Sequence, residues 1–231
     1  YIAARYYHRT TMNSGVNTFI LSHERASSNA LFGIVNRFQV NNPLAPTTGT
    51  DNVNELKFDQ IDSSYIVATA GGKPSGRSRS FSQFHGSEAA FWKNAPDHFA
   101  ASVQAIPLLP NTEVILESTS AGPVGEFYEH YLDAENGIGD YIAIFLPWSL
   151  DPGYARKPDP SFRLSTEKAE KDDISEAEYA EMFFLSLPQM AWRRNKIIEL
   201  RNESMFKREY PMIPDEAWTN DDKYASFIKD S

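Results

Sequence analysis

Two short stretches of this chain combine residue types that can do chemistry. In the first, Phe81-Ser82-Gln83-Phe84-His85-Gly86-Ser87-Glu88-Ala89-Ala90-Phe91-Trp92, a hydrophobic run leads into a carboxylate. If that run is a strand of a parallel sheet, Glu88 falls at its carboxyl end, where open α/β folds bind ligands. A carboxylate so placed can orient or deprotonate a water that attacks a phosphoryl group, with its neighbour turned toward a Mg²⁺ shell. Glu88 could equally cap a following helix, since acidic residues are favoured in a first turn. In the second stretch, Val114-Ile115-Leu116-Glu117-Ser118-Thr119-Ser120-Ala121-Gly122, an apolar run ends on hydroxyls and a glycine-containing turn. Hydroxyls at a strand tip beside Glu88 could sense a γ-phosphate; as N-caps they would only start the next helix.

Those residues need strands to carry them. Val16 to Ser22 reads as a short buried strand, and Glu24 to Gln39 as a helix with Ala30, Leu31, Ile34, Val35 and Phe38 at helical spacing. Asn41 to Asn52 is loop, Ser64 to Thr69 a second strand ended by Gly71-Gly72, and Gly71 to Arg79 a mobile segment. Phe81 to Phe84 is a third strand, Asp97 to Ala105 a helix, Glu113 to Glu117 a fourth strand, Gly125 to Asp133 a helix and Tyr141 to Leu146 a fifth strand. Strands separated by helices predict an α/β fold, a mostly parallel sheet with helices on both faces. After the turn-rich Asp151 to Pro160 the strand pattern stops, which predicts a boundary near residue 160 between a domain 1–160 and a mainly helical subdomain 161–231. Within the latter, Ser175-Glu-Ala-Glu178 and Ser186-Leu-Pro-Gln189 have capping-box spacing, and Phe206 to Tyr210 reads as an edge strand.

Composition narrows the function classes. With 231 residues and 41% hydrophobic content, the chain can bury one substantial core, or a core plus a smaller lobe. It has no apolar run long enough for a membrane span and no secretory leader pattern. The absence of cysteine excludes disulfides and thiolate metal sites. A net charge of -9 is opposite to the footprint of a self-sufficient DNA-binding domain. His8, His23, His85, His98 and His130 lack ligand spacing. The most basic region, Arg193, Arg194, Lys196, Arg201, Lys207 and Arg208, fits a solvated helix face as well as a binding surface. A stand-alone hydrolase using Glu88 and Glu117 would lack a nucleophile motif.

Taken in order, the motifs resemble the ATPase core of phage large terminases. The branch in question has a His-x-Ser-Glu-x-Ala-Phe-Trp motif like that ending at Trp92, and a Glu-Ser-Thr motif like Glu117-Ser118-Thr119. It also has a strand end like Phe145-Leu-Pro147-Trp148, a Gln-x-x-Trp-Arg-Arg segment like Gln189 to Arg194, and a close like Phe206 to Ala217. The resemblance implies a P-loop NTPase-like fold of the additional-strand, catalytic-glutamate type, in which ATP hydrolysis with Mg²⁺ drives double-stranded DNA into a procapsid in the bacterial cytoplasm. Its partners would be DNA, the portal protein, the small terminase subunit and further copies in a homo-oligomeric ring. Glu88 would be the catalytic carboxylate, and Ser87 would stand where many relatives have a metal-associated aspartate, a change that a neighbour such as His85 or a water-bridged contact would have to make good. Ser118 and Thr119, with Glu117, would couple hydrolysis to movement. Arg77 and Arg79 lie where relatives place an arginine that acts on a neighbouring subunit's nucleotide, although either could be a solvated loop cation.

One expected part is absent. No Gly-x-x-x-x-Gly-Lys-Ser/Thr occurs, and in Gly71-Gly72-Lys73-Pro74-Ser75 the proline after the lysine forbids the required helix start. The resemblance places that loop and its helix just before a segment like Tyr6 to Thr11, and a nuclease domain after Ser231. The chain is therefore expected to be an inactive fragment of a longer protein. A competing reading is a non-catalytic binding or assembly domain of a phage or prophage protein, with the strand-tip hydroxyls and carboxylates serving as caps.

Overall fold

The computed structural model describes residues 1–71, 80–107, 109–168 and 174–218. The chain forms two compact units, Tyr1–Gly139 and Asp140–Ser231, so the change in composition near residue 160 falls inside the second.

The first unit is built as α1 (Ile2–Met12), β1 (Asn17–Ser22), α2 (Arg25–Asn41), β2 (Thr50–Asp51), β3 (Glu55–Phe58), β4 (Ser63–Thr69), β5 (Gln83–Ser87), α3 (Ala95–Ala105), β6 (Glu113–Glu117) and α4 (Glu126–Glu135). Its six-stranded sheet has the order β2-β3-β4-β1-β5-β6. Strands β4, β1, β5 and β6 run parallel, and β2 and β3 add an antiparallel edge. The α/β expectation therefore holds as a mixed, mostly parallel sheet.

Alternation along the strands fills two cores, because successive side chains point to opposite faces. Ile20, Tyr65, Val67, Leu56 and Phe58 join Tyr6, Tyr7, Phe32 and Val35 of α1 and α2 on one face. Phe19, Leu21 and Phe84 join Trp92, Phe99 and Ala105 on the other, with Val114, Leu116 and Phe127 packed against them. Helix α1 was not expected, yet its buried residues Ala3, Tyr6, Tyr7, Thr10 and Thr11 follow helical spacing. Two of the five are threonines, which hid the stripe. Arg5 clamps Glu113 with two hydrogen bonds of 3.1 and 3.0 Å, and Arg9 adds a third at 2.9 Å, tying α1 to the start of β6.

The second unit contains α5 (Glu176–Met182), α6 (Leu187–Leu200), α7 (Glu203–Glu209) and α8 (Pro214–Ala217). Both expected capping boxes form: Ser175 with Glu178, and Ser186 with Gln189. Two expectations fail. Phe206 to Tyr210 is not an edge strand: Asn202 caps α7 by accepting from the Met205 amide, and Phe206 is buried on that helix. Tyr141 to Leu146 forms no strand, although its alternation persists, with Ile142, Ile144 and Leu146 exposed. A period of two makes a strand only where a ladder partner exists, and none pairs with it among the described residues. Trp192 stacks between Trp148 (5.2 Å between ring centroids) and Tyr154 (4.6 Å), and the buried Arg193 lies over Tyr179 while pairing with Glu203. No helix among the described residues is long and apolar enough to cross a membrane.

Candidate functional site at the carboxyl ends of the parallel strands

The third expected strand is displaced from its limits in a way that matters. It runs from Gln83 to Ser87, three residues beyond Phe84, so Glu88 leaves the sheet at once. Gly86 makes this possible. A Cβ there would lie 2.7 Å from Leu116 Cδ2 and 2.8 Å from Trp92 Cη2, so only glycine lets the indole fold back over the strand. Trp92 Nε1 then donates to the Ser87 carbonyl at 2.9 Å. The chain reverses through a short 3₁₀ turn, Ala89–Phe91, with Glu88 in the left-handed region at φ 52°. A non-glycine residue held there is strained, a feature concentrated at functional sites.

Strands β5 and β6 are neighbours, with Ser87 opposite Glu117. His85 and Ser87 share one face of β5, and Glu117 stands on the same face of β6. His85 Nε2 lies 3.0 Å from Glu117 Oε1, with the ring almost fully buried. Burial pushes the Glu117 carboxyl up, but hydrogen bonds from His85, the Ser87 hydroxyl and the Glu88 amide outweigh it and hold it below the usual range. Glu88 behaves oppositely. Burial and then the charge of Glu117 raise its pKa, against hydrogen bonds from Ser118 and the Thr119 amide and the proximity of His23. The Ser118 hydroxyl donates to Glu88 Oε2 at 3.3 Å and accepts from the Ala90 amide at 3.3 Å.

The capping alternatives do not describe these residues. Glu88 makes no side-chain cap on the turn after it, and the helix after β6 begins only at Glu126, with Gly125 before it. The structure thus brings Glu88, Ser87, Glu117, Ser118 and Thr119 together at the ends of β5 and β6, while Arg77 and Arg79 lie outside the described residues, as does nearly all of the segment 71–79 expected to be mobile. Sequence reasoning named His85 only as a neighbour that could make good the missing aspartate at Ser87, not as the partner of Glu117, and it missed His23. The two-residue spacing of His85 and Ser87 on a strand was the available signal.

The donor set does not fit a protein-held Mg²⁺. Among the described residues no three His, Asp or Glu side chains form a group that could hold a metal. Glu117 is already paired with His85. A separate cavity of about 590 Å³ lies at the opposite ends of the strands, lined by Arg9, Asn17, Phe81 and Asn111. Its arginine is already bonded to Glu113 and to the Asn111 carbonyl, so the chemistry belongs to the other end.

The first unit is thus an α/β fold with a mostly parallel sheet, carrying a carboxylate of raised pKa at one strand tip and hydroxyls just beyond the next. Its overall fold is similar to that of phage large terminases. The HK97 bacteriophage large terminase matches with a TM-score of 0.55 and 17% identity over 87% of this chain and 40% of that one. A large terminase from a thermophilic bacteriophage gives a TM-score of 0.46 and 10% identity over 58% of this chain and 34% of the other. The chain therefore spans well under half the length of either. No family model and no curated protein sequence matches it.

Proposed function

We propose that this chain forms the hydrolytic edge of an ATP-driven DNA-packaging motor, with Glu88 as the general base. The observation that carries this reading is Glu88 itself: strained, half-buried, of raised proton affinity, and bonded to Ser118 on the adjoining strand. A base works best when its pKa lies nearer the working pH, and the environment of Glu88 moves it that way. In the reaction, water attacks the γ-phosphorus, its proton passes to a Glu88 carboxylate oxygen, and the bond between phosphorus and the β,γ-bridging oxygen breaks to leave ADP. Ser118, held between Glu88 and the Ala90 amide, would register the change in Glu88 and pass it along β6, with Thr119 beside it. Arg77 and Arg79 remain candidates for stabilising charge on a neighbouring subunit's nucleotide.

No Gly-x-x-x-x-Gly-Lys-Ser/Thr motif occurs in this sequence, so the reading assigns no residue here to gripping the phosphates or Mg²⁺. DNA, the portal protein, the small terminase subunit and a ring of copies are the partners of the whole motor in this reading. The net charge of -9 argues that this part of the motor does not grip DNA alone. In the complete protein, Glu88→Gln should lower ATP turnover by about 10²-fold or more while nucleotide binding persists. Turnover close to that of the parent would remove Glu88 from the chemistry and favour a non-catalytic assembly domain.

A further inference from the structure

Glu117 is the unusual member of this group. A carboxylate opposite a strand-end serine needs no partner beyond water, yet this one lies 3.0 Å from the Nε2 of a buried histidine on the next strand, with Ser87 directly opposite and Glu88 one residue on. His85 is fixed in turn. Its ring is 2% exposed, and Nδ1 has no partner among the described residues, which leaves Glu117 as its one polar contact there. Because Nε2 must carry the proton to donate, the neutral ring has a single useful tautomer.

We propose that His85 and Glu117 are positioning residues for Glu88: His85 pins the Glu117 carboxylate at the tip of β6, which keeps a second negative charge beside the Glu88 side chain. This deepens the reading of Glu88 as a base and rests on it for its catalytic meaning, but the coupling itself is a property of this chain. Two carboxylates at adjoining strand tips cannot both ionise freely, so the one paired with His85 stays charged and the other is left as the proton acceptor. The groups facing Glu88 are Glu117 from β6, Ser118 and Thr119 just beyond it, and His23 from the end of β1, itself 3.8 Å from Glu24. Lys73, Arg77 and Arg79 lie outside the described residues.

The test is a carboxyl-carbon NMR titration of this chain, with Glu88 assigned by Glu88→Gln. Glu117→Gln removes the charge but keeps an acceptor, and should move the Glu88 midpoint downward; it should also shift the Glu88 amide resonance. His85→Gln keeps a donor of similar reach and should preserve the parent titration, whereas His85→Leu should raise the Glu117 midpoint. Should either substitution in Glu117 or His85 unfold the chain, the other of the two supplies the readout. A Glu88 midpoint unmoved in folded Glu117→Gln overturns the proposal. In the complete motor, the acid limb of the turnover profile should follow the Glu88 midpoint. A midpoint that moves while the acid limb stays supports the coupling and refutes Glu88 as the base, so the two failures are separable.

Discussion

Gly86→Ala is the most demanding perturbation of this site, because it touches no charged group and yet should disturb all of them. The added Cβ would meet Leu116 Cδ2 at 2.7 Å and the Trp92 ring at 2.8 and 2.9 Å. The leucine methyl can rotate away, but the indole cannot: it is packed edge-on to Phe84 at 6.3 Å and against Phe99 at 5.1 Å. Overpacking of this kind costs about 1–3 kcal/mol. If the indole is levered outward, its hydrogen bond to the Ser87 carbonyl goes too, adding about 1 kcal/mol. The expected loss is therefore about 2–4 kcal/mol, read as a fall in the urea midpoint at unchanged slope.

A double-mutant cycle identifies the cause. Trp92→Phe shortens the ring and should by itself destabilise, but in its presence Gly86→Ala should cost at least about 1 kcal/mol less. If Gly86→Ala lowers stability by less than about 0.5 kcal/mol, or costs the same with and without Trp92, then glycine is not there to admit the indole.

Three further outcomes follow from the same contacts. His98 is 1% exposed, and neither ring nitrogen has a partner among the described residues, so burial lowers its pKa. The unfolded chain then binds the proton that the folded chain resists, and stability should fall as pH drops below about 6.5; His98→Leu should flatten that part of the urea-midpoint profile relative to the parent. Glu113→Gln should cost about 1 kcal/mol and lose most of that effect in high salt, since Arg5, Arg9 and Glu113 are each a quarter to two fifths exposed and therefore screened. Ser186→Ala removes the acceptor for the Gln189 amide and should lower the unfolding midpoint of the second unit by the equivalent of about 1 kcal/mol, with no change at the Glu88 titration.

The sequence was legible where local signals and tertiary context agree. β6 was read to the residue, because Val114, Ile115 and Leu116 form an apolar run closed by a carboxylate at each end. The capping boxes were read correctly because their hydrogen bonds are made within four residues. Elements defined by distant partners were not legible. β3 exists because Leu56 and Phe58 pair with β4 and fill the α1–α2 core, and its four residues carry too little pattern to announce it. Tyr141 to Leu146 carries the opposite lesson, since a strand pattern without a ladder remains irregular. Residue type and spacing singled out Glu88, Ser118 and Thr119, which lie together at adjoining strand ends, whereas the pairing of His85 with Glu117 was not legible because it lies across the sheet.

Register, more than residue type, makes this cluster. With Ser87 opposite Glu117, the side chains of His85, Ser87 and Glu117 share a face, and Gly86 and Leu116 share the other beneath Trp92. A slip of one residue between β5 and β6 would turn Glu117 toward the indole and leave His85 facing Leu116, burying an unpaired carboxylate in the aromatic core. Two contacts far from the crevice oppose that slip: the bond from the Tyr6 hydroxyl to the Phe84 carbonyl at 3.3 Å, and the two-arginine clamp on Glu113. Residues with no chemistry of their own, Tyr6, Arg5, Arg9 and Gly86, thus hold Glu88 and Glu117 side by side. Mutational loss of activity at any of them should therefore be judged first as a loss of register.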